Sequence, residues 1–358
     1  MRIIIAFIFV FCITAASRAD DLKIQAYGDF YIATDDNNDV GVSSYPNRYG
    51  IFQLKDNFNV NTKKGVFDYN LLQISFSKKT DDFRGILILH DGAMVDVGYQ
   101  MDFIRFVQEA NFGVQLFYNL WLDVGRFQTH LGGEAYAPKD NWLSSHSILT
   151  VVEPITHSGA RLTYEFLDDF EVSLHIYNNG LRASEDNVFK SYGFYHAYNG
   201  EEFKIAYAWL FGNEGSGYID ENEFDDFSDP IYYSNFHTLS TELKLTEELE
   251  VKGQIDLYVA EVINKTHDKG LFGASIQSRL HINDKFKSTV RVSWWNASSL
   301  VFPQIPKGLG YTLGFEYLPT NNTYLRIEGR YLNDYGSIMN YTYDRLEAAL
   351  NFGFKLDN

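Results

Sequence analysis

The sequence predicts an all-β chain, an antiparallel transmembrane β-barrel of about 16 strands with short periplasmic turns and long extracellular loops. Three observations lead there. Period-2 alternation of apolar and polar residues repeats along nearly the whole chain, the mark of strands with two different faces. The connections between these ladders alternate between tight and long. The polar faces carry too many ions for a dry core, where each would cost several kcal/mol.

Composition narrows the alternatives. Of 358 residues, 25 are Tyr, 29 Phe and 5 Trp, and aromatics make up 16%. A chain this aromatic and apolar is not disordered, and 27 Gly with 7 Pro are too few for a fibrous protein. A formal net charge of −17 argues against nucleic acid as a partner, because that binding needs Lys and Arg to neutralise phosphates.

At the N-terminus, Met1-Arg2 precedes an apolar run from Ile3 to Ala16, then Ser17-Arg18-Ala19. This reads as a signal peptide, residues 1–19, cleaved after Ala19. The run is shorter than the roughly 20 apolar residues of a membrane-spanning helix. Cys12, the chain's only cysteine, falls inside it, so residues 20–358 form one barrel domain without a disulfide.

The ladders then follow in order. They occupy Ile24–Ala33, Asn70–Ser77, Gly159–Phe166, Glu171–Tyr177, Phe203–Phe211, Leu249–Val259, Phe272–Ile282, Phe286–Trp295, Gly310–Leu318, Thr323–Leu332 and Asp344–Phe354. Alternation is broken in Ile51–Val60 and Ile104–Phe112, which leaves 16 or 17 candidates, and an even number is the norm for such barrels. Tight links such as Lys79–Asp82, Thr246–Glu248 and Asn283–Lys285 carry the Asn, Asp and Lys that turns favour. Long polar segments separate them, Gln128–His157 being the longest.

In Thr323–Leu332, Leu325, Ile327 and Tyr331 oppose Tyr324, Arg326, Glu328 and Arg330. The apolar face meets lipid, and aromatics near strand ends (Phe203, Phe286, Trp294, Tyr311, Tyr331) form interfacial girdles. The charged face lines a lumen. Its candidate pore-lining residues are Arg161, Lys204, Arg279, Arg291, Arg326, Arg330, Arg345, Glu316 and Glu328. Arg105, Asp29, Asp123, Glu171 and Asp256 are assigned to the same face. Five of the arginines, from Arg279 to Arg345, come from the last third of the chain and hence from one wall. Two readings stay open: a transverse field facing acids across the lumen, or a salt-bridge lattice that stiffens the wall.

The segments DVGRFQTHLGGE at Asp123–Glu134, EPITHSG at Glu153–Gly159 and HIYNNG at His175–Gly180 resemble the OmpL-like β-barrel porins of Gram-negative outer membranes. That family shows a G-[KR]-F-x-T-x-x-G-x-E element, a P-x-x-x-x-G strand start and a strand ending in Asn-Gly. The motif-bearing part spans roughly residues 105–180. The resemblance implies an outer-membrane channel for small solutes and transfers no catalytic residue. By its position, Gln128–His157 is expected to fold inward as a constriction with Arg126, His130 and Glu134 near the lumen, a surface-packed loop being the alternative. One departure is the C-terminus, which runs on past Phe354 through Lys355-Leu356-Asp357-Asn358 instead of ending on an aromatic.

The sequence carries no other clear chemical signature. Asp35–Asp39 begins like a calcium loop, but Val40 stands where Gly is needed and Pro46 where a bidentate Glu belongs. The acidic stretch Gly212–Ser234 reads as a solvated loop. The nine His show no metal-ligand spacing, and no nucleophile elbow, phosphate loop or dinucleotide fingerprint occurs.

The sequence therefore predicts a non-enzymatic porin of the bacterial outer membrane, passing small hydrophilic solutes or ions through a water-filled lumen, without cofactor or metal. Its expected partners are outer-membrane lipids, lipopolysaccharide and the solutes, with a homotrimer left open. The alternative is a barrel acting as an enzyme or adhesin through its loops.

Overall fold

The computed structural model describes residues 22–35, 65, 67–98, 104–151, 153–167, 169–178, 190–212, 231–262, 269–297, 307–334 and 344–357. The expected signal peptide, the stretch Ile51–Val60, the calcium-like residues 36–39 and the acidic residues 213–230 lie outside them.

The described residues form sixteen strands: β1 (Lys23–Asp35), β2 (Asp68–Lys79), β3 (Phe83–Asp91), β4 (Val107–Phe117), β5 (Leu120–Gln128), β6 (Thr156–Leu167), β7 (Phe170–Tyr177), β8 (Ser191–Asn199), β9 (Phe203–Gly212), β10 (Ile231–Lys244), β11 (Leu249–Val262), β12 (Lys269–His281), β13 (Phe286–Ala297), β14 (Lys307–Thr320), β15 (Thr323–Asp334) and β16 (Asp344–Asp357). Each pairs antiparallel with its sequence neighbours, and β1 pairs with β16 to close the barrel. A short helix, α1 (Ala93–Gly98), follows β3. Closure leaves no edge whose amides would face lipid unpaired.

Turn chemistry explains the tight end. Asn283 Oδ1 accepts from the amides of Lys285 and Phe286, and Thr246 Oγ1 accepts from those of Glu248 and Leu249. Such side-chain bonds stand in for ladder bonds at a reversal. A further tight turn, Tyr118-Asn119, joins β4 to β5, with Asn119 at φ 58°. Asn tolerates that left-handed conformation better than most residues.

The burial pattern is inside out. In β15, Ile327 is 60% exposed while its neighbours Arg326 and Glu328 are each 4% exposed. Val290, Leu313, Phe315, Leu346 and Leu350 are likewise exposed on the outer face. Alternation weakens where register slips: β4 carries a shift opposite Ile88/Leu89, and β2 one opposite Asp29/Phe30. Arg105, assigned by sequence to the inward face, lies in the turn before β4 and pairs with Asp96 at 3.2 Å. The strand starts later than the broken alternation suggested.

The inner wall has two zones. Toward the long-loop end, Leu210, Phe236, Tyr258, Leu271, Trp295 and Leu332 form one buried apolar cluster. Toward the turn end, the inward positions are mostly charged. That apolar zone is an addition to the charged lumen expected from sequence. The ladder Leu249–Val259 placed its inward Tyr258 among polar neighbours and stopped before Ala260, and this concealed it.

Candidate functional site: the lumen and its inserted loop

The connection between β5 and β6, here L3, lies inside the barrel over its described residues, 129–151 and 153–155. It leaves β5 after Phe127, whose inward ring packs with Tyr177 and under Arg161. Two glycines follow at the loop's start. Gly132 has φ +89°, and a Cβ there would strike the Glu153 carboxylate. Gly133 donates its amide to Gln254 Oε1 at 2.8 Å. Two short 3₁₀ turns, Pro138–Asp140 and Ile148–Val151, shape the rest.

L3 crosses the lumen and docks on the wall made by β11 to β15. Arg291 is the centre of this contact. Its Nη1 reaches Glu134 Oε1 at 3.0 Å and the Ser145 carbonyl at 2.6 Å, and its Nη2 reaches Ser145 Oγ and the His146 carbonyl, each at 3.0 Å. Arg326 binds Glu316 through Nε at 2.6 Å and donates to the carbonyls of Pro138 (2.8 Å) and Asn141 (2.9 Å). Arg330 binds Glu347 at 2.7 Å and the His146 carbonyl at 3.1 Å. Glu328 completes the seat, accepting from the amides of Ser144 and Ser145 and from Ser145 Oγ.

Loop carbonyls thus meet guanidinium groups and loop amides meet a carboxylate. Such charge-assisted bonds are stronger than neutral ones. The flat guanidinium fork serves several acceptors at once.

Glu134 also accepts from Gln277, Ser147 N and Thr150 Oγ1. Burial raises its carboxyl, but Arg291, His146 and the Ser147 amide outweigh burial and hold it below the usual carboxylate range. Glu153 is the opposite case. Burial raises it well above that range, and nearby Asp256 adds to the effect. Gln254 Nε2 bridges the two acids, at 2.6 Å from Glu153 and 2.7 Å from Asp256. Burial likewise lowers His146, and it lowers His130 to about 4.

Below the loop, a chain of alternating charge runs along the wall. Lys204 and Lys252 both hold Glu242, at 3.3 and 2.8 Å. Arg279 holds Glu250 at 2.6 Å, and Lys287 and Arg326 flank Glu316 at 3.8 and 2.6 Å. Cross-strand pairs of opposite sign stabilise a sheet face. Trp142 of L3 lies against this chain, its ring centroid 4.6 Å from Lys252 Nζ and 4.5 Å from Arg279 Cζ. That is cation–π range.

Two cavities remain beside L3. One, of about 500 Å³, lies between the loop and the β6–β12 wall, lined by Glu134, Glu153, Arg161, Glu171, Lys204 and Lys252 among others. The second, of about 550 Å³, lies toward β1–β3 and the turn end, and includes Lys139, Arg279, Lys287, Glu316 and Arg326.

The sequence-derived residues therefore separate into groups. Arg161 and Lys204 face the first cavity, and Arg279 the second. Arg161 lies over the Phe127 ring and reaches Asp123 at 3.4 Å, while Arg84 holds both Asp123 oxygens more closely. Arg291, Arg326, Arg330, Glu316 and Glu328 face inward, and all but Glu316 bond directly to L3 (Glu316 acts through Arg326). Arg345 sits in β16 opposite Leu332; its side chain is outside the described residues. His130 and Glu134 belong to the loop, whereas Arg126 lies in β5, buried, and does not line either cavity. Sequence reasoning missed Gln254, Gln277 and Trp142, which hold or brace the loop. Only their inward register, or their place in the loop, could have flagged them. It also missed α1, whose Met94 and Val95 pack inside the barrel with Tyr27, Leu71, Tyr324 and Ala137 of L3.

His196 and His237 take outward register positions; His237 Nδ1 meets Tyr207 OH at 2.8 Å. Among the described residues, no group of three or more His, Cys, Asp or Glu is placed to hold a metal.

Solved structures share the fold. The chain resembles outer-membrane-expressed OmpT of Vibrio cholerae (TM-score 0.61, 10% identity, covering 95% of this chain and 99% of that one). It also resembles the outer membrane channel DcaP of Acinetobacter baumannii (0.61, 10%, 94% and 96%). A third is an anion-selective porin from Comamonas acidovorans (0.61, 10%, 94% and 99%). No curated protein matches the chain. The family described as "Putative beta-barrel porin-2, OmpL-like" matches residues 21–353.

Proposed function

The chain belongs to the OmpL-like beta-barrel porin-2 family, and from that premise we propose that it gives passive diffusion of small hydrophilic solutes or ions across the bacterial outer membrane. The observation that carries this reading is the inverted burial, with Leu, Ile and Phe outward and ionised side chains turned to internal cavities. A barrel of sixteen strands is wide enough to hold an aqueous path. The proposed path follows the cavity between L3 and the β6–β12 wall, where Arg161, Lys204 and Lys252 stand with Glu171 and Glu242. Ions of both signs then meet a fixed partner, so selection acts by size and local field.

In this reading transport is physical and involves no covalent step. The outward belt contacts membrane lipids, the long-loop end contacts lipopolysaccharide, and the first 19 residues are removed on export. Chemical crosslinking of the detergent-extracted protein separates a monomer from a homotrimer.

The decisive measurement is conductance of the purified chain in a planar lipid bilayer. Stepwise current increments are expected, with Arg161→Gln shifting the reversal potential toward cation preference. A correctly folded barrel that never passes current would refute the proposal.

A further inference from the structure

In the cavity of about 500 Å³ beside L3, most charged side chains are already matched. Arg291 holds Glu134, Lys204 and Lys252 hold Glu242, and Gln254 donates to Glu153. Two groups stand apart. Beyond the contact of Arg161 Nε with Asp123, neither Nη1 nor Nη2 of that arginine hydrogen-bonds to a described residue. The Glu171 carboxylate makes neither a hydrogen bond nor an ion pair with a described residue, and it lines the same cavity.

Strand register puts these two on one patch of wall. Arg161 of β6 lies opposite His175 of β7, and Glu171 lies four residues before His175 on the same strand. Their backbones are therefore about 13 Å apart along the wall, at roughly 3.3 Å per residue, and the reach of the two side chains covers much of that. Arg161 is the charge that attracts Glu171 most strongly, yet the two do not close to an ion pair, so a gap remains between them. Its floor is made of small residues: Ser173, Ala206 and Ala208 line the cavity there. Tyr195, paired with Ser173 and Ala208, stands beside it, near enough for the Glu171 charge to act on its hydroxyl. The guanidinium of Arg161 lies over the Phe127 ring at 4.9 Å, which fixes its orientation.

The surroundings choose among solutes. Two further acids near Arg161 are served by other groups: Arg84 holds both Asp123 oxygens, and Asn111 and Gln128 donate to Glu109. They leave the Arg161 fork free. With Glu165 and Glu171, however, they set four carboxylates against Arg84 and Arg161, so this wall has no surplus positive charge to hold a simple anion. A simple cation would meet Glu171 but also Arg161 and Lys204. A solute that carries both charges satisfies both free groups and brings no net charge. We propose that Arg161 and Glu171 form a luminal binding subsite for small zwitterions of the α-amino-acid class. The planar guanidinium fork takes the carboxylate, Glu171 takes the ammonium, and Tyr195 flanks the solute between them. The cavity lies within the ~300–1,000 Å³ range of small-molecule pockets. This rests on the porin reading and names the solute class that its lumen binds.

Single-channel recording of the full chain in potassium chloride tests it with two isomers. Serine is a zwitterion at neutral pH, and glyceramide has the same atoms and no charge. Serine is expected to reduce the parent's conductance saturably, whereas glyceramide should lower it only as far as it raises the viscosity of the solution. Arg161→Gln and Glu171→Gln should each raise the half-blocking serine concentration about tenfold. Arg161→Lys keeps the charge but loses the fork, and should fall between Arg161→Gln and the parent. Heat-modifiable gel migration confirms that each variant is folded.

Equal reduction by the two isomers, or a serine block that neither glutamine variant weakens, would overturn the subsite and leave the porin reading intact. A block lost in Arg161→Gln but unchanged in Glu171→Gln would mark a carboxylate site and overturn the zwitterion class. Silence in every folded chain would overturn both the subsite and the porin reading.

Discussion

At the residue scale, the loop is held by side chains whose charge states oppose one another, and this makes its docking depend on pH in two directions. Glu153 has its proton held more tightly in the docked state, so its contribution is complete below the ordinary Glu range, about 4.3. It fades as pH rises through the raised value. Glu134 has the opposite sign: its contribution is present above the ordinary range and is lost as pH falls through its lowered value. Glu153→Gln should therefore abolish the loosening on the alkaline side and leave the acid side unchanged. Hydrogen-exchange protection of peptides from residues 129–155, corrected for intrinsic rate and followed from acid to alkaline pH, measures this. Equal alkaline loosening in both chains would exclude Glu153 as the cause. Arg326→Ala is harsher. It strips a buried partner from Glu316 and donors from two loop carbonyls, with an expected loss of about 3–5 kcal/mol in denaturant unfolding. A loss below ~1 kcal/mol would place the pair in solvent instead.

At the element scale, a strand in this wall must satisfy lipid on one face and a polar lumen or loop on the other. Adjacent residues therefore tolerate opposite substitutions. Ile327→Arg puts a cation on the lipid face of β15 and should cost about 2–4 kcal/mol near the bilayer midplane. Thr312→Ser, on the inner face beside Arg291, keeps its hydroxyl and should cost less than ~1 kcal/mol. Urea unfolding from liposomes compares them, and equal costs would contradict the assigned faces. The same two-faced demand decided what could be read from sequence. β11, β13 and β15 alternate cleanly, and their predicted bounds agree with the structure to within a few residues at each end. β3 (FRGILILHD) places Ile86 and Ile88 inward and Leu87 and Leu89 outward, so apolar residues on both faces erased its signal. β4 lost its period to a register shift. The site was partly legible. Charge on an inward face announces itself, so Arg291, Arg326, Arg330 and Glu328 were found. Their common task of seating L3 was not, because their partners are mostly backbone carbonyls and amides of a distant segment, which leave no mark in side-chain spacing. Gln254 and Gln277 were passed over because neutral amides on a polar face look like any solvated residue.

At the scale of the whole molecule, stability depends on closure, and closure depends on the two ends of the chain. β1 and β16 pair from Gln25 opposite Asp357 to Asp35 opposite Glu347, with the Phe354 ring packed over Gly28 and 6.4 Å from Phe30. The departure at the C-terminus has its structural place there: Lys355, Leu356 and Asp357 continue the strand past Phe354 to the turn end and extend the seam. A chain ending at residue 343 would leave β15 and β1 as open edges in lipid, each with a row of unpaired amides and carbonyls costing several kcal/mol apiece. That cost exceeds the stability of an ordinary domain, about 5–15 kcal/mol. The truncated chain should therefore show no compact, heat-modifiable band on a gel. It should also pass no current in a bilayer. Removal of Asn358 alone, beyond the last paired residue, should preserve both properties. If the chain ending at residue 343 kept the compact band, the β1–β16 seam would not be what closes the barrel. The seat of L3 would fall with it, since Arg330 is anchored by Glu347 of the closing strand.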